Sequence, residues 1–524
     1  MMTPLRAAGK QLKLMDTSLS YRPCVGNIER FFVMRQVLGY YRSLIVTALY
    51  TLRQPDASRI NVETFFPALK HCIAIHPILS ASVSGEATEA PKFVRPATLD
   101  LRNHVQIVDP ASLGENSGDE IGQLKQVIAE DHDRPFLYKE NIPPWKIIVL
   151  PVSGQSKARK RRFYILFSYS HSHGDGISGL AFHKTFLQGL RISKRSGTDP
   201  IYATPSLPLL PPLEQGVTLS ISWSYLFESL LAICLPKFIS KLLNLQASIM
   251  PESPNAWRAQ PYSYNAETFR TGLEIIIIDS ETLKDVISAC KANGTKMTGL
   301  LHQLIVRALS EVVPADALAG SFVAQTPLNL RRIMYGFTND DIAVYTSMDY
   351  ELFPRHQKRG ESGLNAAESG SIVDEEMWAA ARSTTARLAA RASKTTDQPV
   401  GLLQYLAYCR RWMVNQLGKQ RDVSYEVTNI LVFDPLCDTG NSDVGASTSN
   451  WELGRTLMSQ PADALGSLIS FNVVTRKGGE MVITLTWQIG VLGLENEGYS
   501  VKQVSKKVRN FLERLAMEQS NRGA

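Results

Sequence analysis

The chain of 524 residues is too long for one compact core, and a length of roughly 150 residues per domain predicts two to four domains, two of them large. With 44% hydrophobic and 20% charged residues the composition is that of a globular chain, and it excludes a disordered one. A net charge of +7 is small for this length, and no zinc-finger spacing or interleaving of aromatic and basic residues points to nucleic acid as a partner.

In chain order, the first twenty residues carry Arg6, Lys10 and Lys13 but no continuous apolar run, so a short amphipathic anchor stays open and a secretory signal is not expected. NVETFFPALKHCIAIHPIL has apolar residues at helical spacing and turns at His76-Pro77. WKIIVLPV and RRFYILFSYS are β-rich runs on either side of a basic tip, Lys157 to Arg162. That tip reads as the solvated end of a hairpin, with a localisation signal or an anionic-ligand site as the sharper alternatives. Pro200, Pro205, Pro208, Pro211 and Pro212 then crowd a stretch where neither helix nor central strand persists, which predicts a crossover. The most apolar segment, Trp223 to Leu243, is interrupted by Glu228, Pro236 and Lys237. It predicts a helix packed on the protein, with interfacial membrane docking as the alternative, rather than a membrane span.

The second half repeats the mixture. GLEIIIID predicts a strand, SETLKDVISACKANG and GLLHQLIVRALSEV predict helices, SFVAQTPLNLRR a strand and turn, MVITLTWQIGVL a late strand, and VKQVSKKVRNFLERLAMEQ a closing amphipathic helix. RGESGLNAAESGS and DTGNSDVGASTSN predict surface loops. Six scattered cysteines without a C-x-x-C fit a reducing compartment. The expected division is 1–199, a crossover at 200–265, and 266–524, two α/β halves.

The stretch HSHGDG, inside FYILFSYSHSHGDGISGLAFHKTFLQGL, admits three chemistries. As H-x-H-x-D (His171, His173, Asp175) it has the spacing of a zinc hydrolase. That pattern continues with a histidine where Gly176 stands, and at least two of the later His183, His302 and His356 fall in a helix or a charged loop. As G-x-G-x-x-G (Gly174, Gly176, Gly179) it suggests dinucleotide binding, but RISKRSGTDP replaces the second strand that fold needs. The third reading places His171 at the exposed end of a strand, with Asp175 one turn on and glycines allowing the turn. A neutral imidazole held there is a general base for an alcohol or amine nucleophile. His173 is then exposed or structural.

F-x-x-S-H-x-x-x-D-G-x-S-G followed by a helix resembles the H-x-x-x-D-G motif of the CoA-dependent acyltransferase superfamily, which spans chloramphenicol acetyltransferase, plant BAHD enzymes, condensation domains and fungal alcohol acetyltransferases. NIERFFVMRQVLGYYRSLIVTALY, HPILSASV, DRPFLYKENIPPWKIIVLP and QTPLNLRRIM resemble further segments of the alcohol acetyltransferase family in the expected order. The resemblance implies an α/β (α+β) fold of two chloramphenicol acetyltransferase-like subdomains, each a mixed sheet with helices, with the active-site channel between them. It implies His171 as base, Asp175 as a mainly structural partner of Arg331, Gly176 in the turn, and Ser424 and Asn429 as substrate-binding or oxyanion groups, with capping of a loop as the alternative for either. Ser170 stands where the family often has a first histidine, and Lys146 where an arginine is usual.

The activity so implied is transfer of an acetyl group from acetyl-CoA, a co-substrate, to a hydrophobic alcohol in fungal secondary metabolism, with no metal and no bound cofactor. A longer acyl-CoA, an amine acceptor or a non-catalytic ligand-binding member are the alternatives. A monomer is expected, acting in the cytoplasm, with peripheral contact to the endoplasmic reticulum or lipid droplets left open.

Overall fold

In the computed structural model, which describes residues 25–53, 60–113, 119–135, 138–152, 160–192, 197–226, 251, 253–315, 319–357, 371–435 and 450–523, two mixed sheets carry the chain. The first takes β1 (Ser43–Arg53), β2 (Val105–Ile107), β3 (Trp145–Pro151), β4 (Lys160–Ser170) and, from far along the chain, β9 (Trp451–Ser459), in the order β9-β1-β4-β3-β2. The second takes β5 (Thr271–Ile278), β6 (Ser321–Asn329), β7 (Thr346–Pro354), β8 (Tyr425–Phe433), β10 (Ile469–Arg476) and β11 (Met481–Gln488), in the order β7-β6-β8-β10-β11-β5.

The strand that leads to HSHGDG shows why its sequence is apolar without alternating. Side chains of a strand point to opposite faces in turn, so a strand covered on both faces reads as a continuous hydrophobic run. In β4, Phe163, Ile165, Phe167 and Tyr169 join the core under the helices of the first half. Tyr164 and Leu166 point the other way, into a core shared with Leu273 and Val482 of the second sheet. That shared core, to which Leu124 and Ile128 also belong, packs the two halves together.

Helices α1 (Asn27–Val37), α2 (Phe66–Ile75), α3 (Glu120–Asp133) and α4 (Gly176–Ile192) belong to the first half. In the second, α5 (Ser280–Ala292) starts at Asp279, whose carboxylate accepts from the N–H groups of Glu281 and Thr282 at 3.0 Å each. α6 (Met297–Val312), α7 (Glu375–Ser393) and α8 (Glu497–Gly523) complete that half. The expected helix, strand and turn segments that fall on described residues are present, but β9 is not where chain order would put it. It lies in the sequence assigned to the second half yet pairs antiparallel with β1, Ile45 opposite Ser459.

Residues 157–159 of the basic tip, all but the first turn of the apolar segment 223–243, most of both polar inserts, and Cys24, Cys234 and Cys437 lie outside the described residues. Cys72, Cys290 and Cys409 are free and buried. Among the described residues no helix is long and apolar enough to cross a membrane.

Buried histidines staple this fold. His104 Nδ1 meets the carbonyl of Trp145 at 2.8 Å, His132 Nε2 meets Ser459 Oγ of β9 at 2.7 Å, His183 Nε2 meets the carbonyl of Val46 at 2.9 Å, and His302 Nδ1 meets the Tyr425 hydroxyl at 3.0 Å. Burial pushes the first three down to about 4 and His302 to about 3. The unfolded chain binds protons at these histidines near pH 6.5, which the folded chain does not. Stability is therefore lost as pH falls from about 6.5 toward 4, at about 1.4 kcal/mol per pH unit for each such histidine. Thermal unfolding followed from pH 8 to 5 is expected to give a flat midpoint above 7 and a steep fall below 6.5; a flat profile down to 5 would contradict it.

Candidate active site

Between β4 and α4 the chain makes the turn that carries the motif. His171 opens the turn and is only partly exposed. Its imidazole lies face to face on Phe32 of α1, with ring centroids 3.7 Å apart and planes 8° from parallel, and Tyr41 packs at 5.6 Å. Nδ1 is buried against the backbone of His171 and Gly174 with no hydrogen bond of regular geometry, which leaves Nε2 as the open nitrogen. Burial pushes His171 down to about 4; the Asp175 carboxylate opposes the shift and Arg35 adds to it. The ring is thus neutral at neutral pH, the state a proton acceptor needs.

Asp175 does not touch the His171 ring. Both of its oxygens are held by Arg331, Nη1 to Oδ2 at 2.7 Å and Nη2 to Oδ1 at 3.0 Å, a bidentate pair joining the two halves. The N–H of Tyr345 donates to Oδ2 at 3.1 Å, and the N–H of Ser178 donates to Oδ1 at 3.1 Å, so the carboxylate also caps α4. Burial alone would raise the Asp175 pKa, but Arg331 and these donors hold it below the usual carboxylate value. Arg331 spends its remaining reach on the carbonyls of Asp341 at 3.1 Å and Ala343 at 3.0 Å.

Gly176 has a different reason for being glycine from the one its place in a turn suggests. Its backbone is not left-handed; a Cβ there would come within 2.7 Å of Ile430 and 2.9 Å of Met458. The requirement is close approach of β8 and β9 to the start of α4. His173 is buried and structural, its nitrogens engaged by Ser172 Oγ at 2.9 Å and the Ala81 carbonyl at 3.0 Å. Its H-x-H-x-D spacing does not converge, and no group of three or more His, Cys, Asp or Glu among the described residues could hold a metal ion. Ser170, where a histidine is common, shares the Tyr138 hydroxyl at 2.9 Å, and Lys146 pairs with Asp131 at 2.6 Å.

Two expected site residues have their side-chain groups engaged within the fold. Ser424 is fully buried; its hydroxyl donates to the Trp257 carbonyl at 2.5 Å and accepts from the Val323 N–H at 3.1 Å, so it fastens β8 to its neighbours and has no donor left for an oxyanion. Asn429 accepts from the Leu431 N–H at 2.9 Å and donates to Thr298 Oγ at 3.1 Å. It caps the bulge at which Leu431 takes φ +69°, and neither residue is hydrogen-bonded to His171.

Missed from sequence were Phe32 and Tyr41, which enclose the imidazole, and the buried polar residues behind Tyr41. The Tyr41 hydroxyl donates to Gln460 Oε1 at 2.8 Å, and Gln460 Nε2 donates to Glu426 at 2.6 Å and to Asn472 at 2.8 Å. Glu426 also accepts from Gln325 at 2.7 Å, and burial raises its pKa. A signal was present in the aromatic pairs Phe31-Phe32 and Tyr40-Tyr41, since aromatic side chains next to a helix end enclose ligands and rings as well as filling cores.

Comparison with known proteins places the chain in a family and a fold. A model of the alcohol acetyltransferase family matches residues 134–497. A probable alcohol acetyltransferase, crmB of Aspergillus fumigatus, is 22% identical over 485 residues, covering 89% of this chain and 95% of its own. The N-acetyltransferase SLI1 of Saccharomyces cerevisiae is 26% identical over 378 residues, covering 66% of this chain and 75% of its own. Among solved structures, TRI3, the trichothecene 15-O-acetyltransferase of Fusarium sporotrichioides, superimposes with a TM-score of 0.62 at 11% identity over 94% of this chain and 95% of its own.

Proposed function

The chain belongs to the alcohol acetyltransferase family, and on that premise we propose that it transfers the acetyl group of acetyl-CoA to the hydroxyl of a hydrophobic alcohol, with His171 as general base. The observation that carries this is a neutral imidazole with one open nitrogen, Nε2, held by stacking at the junction of the halves while the nearby carboxylate is fully engaged elsewhere. In the reaction Nε2 takes the proton of the acceptor O–H as the oxygen attacks the thioester carbonyl carbon, whose electron pair moves onto oxygen. Collapse of the tetrahedral intermediate breaks the C–S bond, and the imidazolium returns the proton to the CoA thiolate, giving ester and free thiol. A place in secondary metabolism, action in the cytoplasm and a monomeric state complete this reading.

The N-acetyltransferase relative favours an amine as second acceptor class, served by the same base because an attacking amine also sheds a proton. A longer acyl chain on the donor needs no change in these steps. The test is purified protein with acetyl-CoA and separate panels of alcohols and amines, following thiol release. Release dependent on an alcohol supports the reading, release dependent only on amines moves it to the second, and no release with any acceptor or acyl-CoA overturns it.

A further inference from the structure

Phe32, Arg35 and Tyr41 come from one local unit that the proposed steps leave unused. α1 is capped by Glu29, whose carboxylate accepts from the Gly26 N–H at 2.5 Å, and it presents Phe32 and Arg35 one turn apart. The helix stops because Gly39 takes φ +76°, a conformation a side chain resists, and a Cβ there would meet the Tyr264 hydroxyl at 2.1 Å. The N–H groups of Tyr40 and Tyr41 then return to the Arg35 carbonyl at 2.9 and 3.3 Å, which folds Tyr41 back beside Phe32, 6.2 Å between centroids.

Both aromatic rings that enclose His171 also hold Arg35. Its guanidinium carbon lies 5.9 Å from the Phe32 centroid and 5.0 Å from that of Tyr41. Arg35 is 9% exposed, its Nε has no hydrogen-bond partner, and its Nη2 reaches Asp463 Oδ2 of the second half in an ion pair. A buried cation is thus fixed one aromatic layer from the base. The other charged groups that face His171 are Asp175, offset by Arg331 behind it, and, beyond Tyr41, Asp463 and Glu426.

We propose that Arg35 is a positioning residue for the reaction: clamped to Asp463, it fixes the Phe32 and Tyr41 rings against His171, and its charge, one aromatic layer away, opposes a proton on the imidazole. This rests on the reading of His171 as base. The charge makes opposite predictions for the two partners of the ion pair. Removing the cation in Arg35→Met favours the imidazolium, whereas Asp463→Asn leaves the cation unneutralised and disfavours it.

The test uses the full chain labelled at histidine, with the His171 signal identified by its loss in His171→Ala and followed by NMR against pH, beside the acid limb of kcat/KM. Arg35→Met is expected to raise the His171 midpoint and the acid limb together by about one pH unit. Arg35→Lys should leave both near their original values, and Asp463→Asn should leave the midpoint unchanged or lower it. An unchanged midpoint in Arg35→Met, or a rise in Asp463→Asn, overturns the proposal. If Arg35→Met does not fold, as thermal unfolding would report, the direction in Asp463→Asn decides. The NMR titration needs no turnover, so a protein that releases no thiol with any acceptor fails the functional reading without deciding this one.

Discussion

His171→Ala is expected to reduce acceptor-dependent thiol release by about 10³-fold, equivalent to about 4 kcal/mol of lost transition-state stabilisation, while the folded protein stays nearly as stable. The reduction follows from how the polar groups of the turn are spent. Asp175 is bound at both oxygens by Arg331, His173 at both nitrogens by Ser172 and Ala81, and Ser170 with Tyr138 and Ser172, so none can stand in for Nε2 of His171. The small stability change follows from two opposed contributions. Losing the stack on Phe32 costs about 0.5–1.5 kcal/mol, and losing a buried Nδ1 without a regular hydrogen bond relieves a cost of similar size. Initial rates with acetyl-CoA and a productive alcohol, taken beside thermal unfolding of the same preparations, check both halves of this expectation. Wild-type rates in the variant would remove His171 from the chemistry.

How far the site could be read from the sequence depended on how local each contact is. The β4–turn–α4 unit was legible because its strand, turn and helix are adjacent in the chain and its apolar run follows from burial on both faces. Arg331 sits 156 residues from Asp175, so only a family resemblance could pair them; no periodicity links the two. β9 was illegible for the same reason: WELGRTLMS carries a glycine and an arginine in mid-strand, and its partner β1 lies some four hundred positions earlier. Ser424 shows the opposite failure. The family resemblance implies a site-lining role for it, but a single hydroxyl can equally satisfy a buried carbonyl and N–H, and here it does both. The role of α1 was hidden because Phe32 meets His171 only after Gly39 reverses the chain, and the stacked geometry is a property of α1 packed on the β4 turn rather than of either segment.

Asp175 is expected to behave as a structural residue, and the expectation is sharp because removing one member of a buried ion pair strands the other. Asp175→Asn keeps the shape of the carboxylate but leaves the Arg331 guanidinium, 2% exposed, without its countercharge, at a cost of about 3–5 kcal/mol. Arg331→Met strands the carboxylate in the same way. The double variant Asp175→Asn with Arg331→Met buries no lone charge, so it should recover much of the stability that either single change loses, and the coupling is read from a thermal or denaturant double-mutant cycle. Activity should follow stability through the series, because the pair sets where α4 begins and how the halves meet, and His171 rides on that junction. A carboxylate that acted directly on the imidazole would give another pattern: Asp175→Asn would lose turnover with little loss of stability, and restoring the fold in the double variant would restore no rate. Acid should act in the same direction as the substitution. The folded pKa of Asp175 lies below its unfolded value, so the stabilisation is complete above the unfolded pKa, near 4, and disappears as pH falls through the folded one. Wild type should therefore lose this share of its stability in strong acid, and Asp175→Asn, which has no proton to gain there, should not.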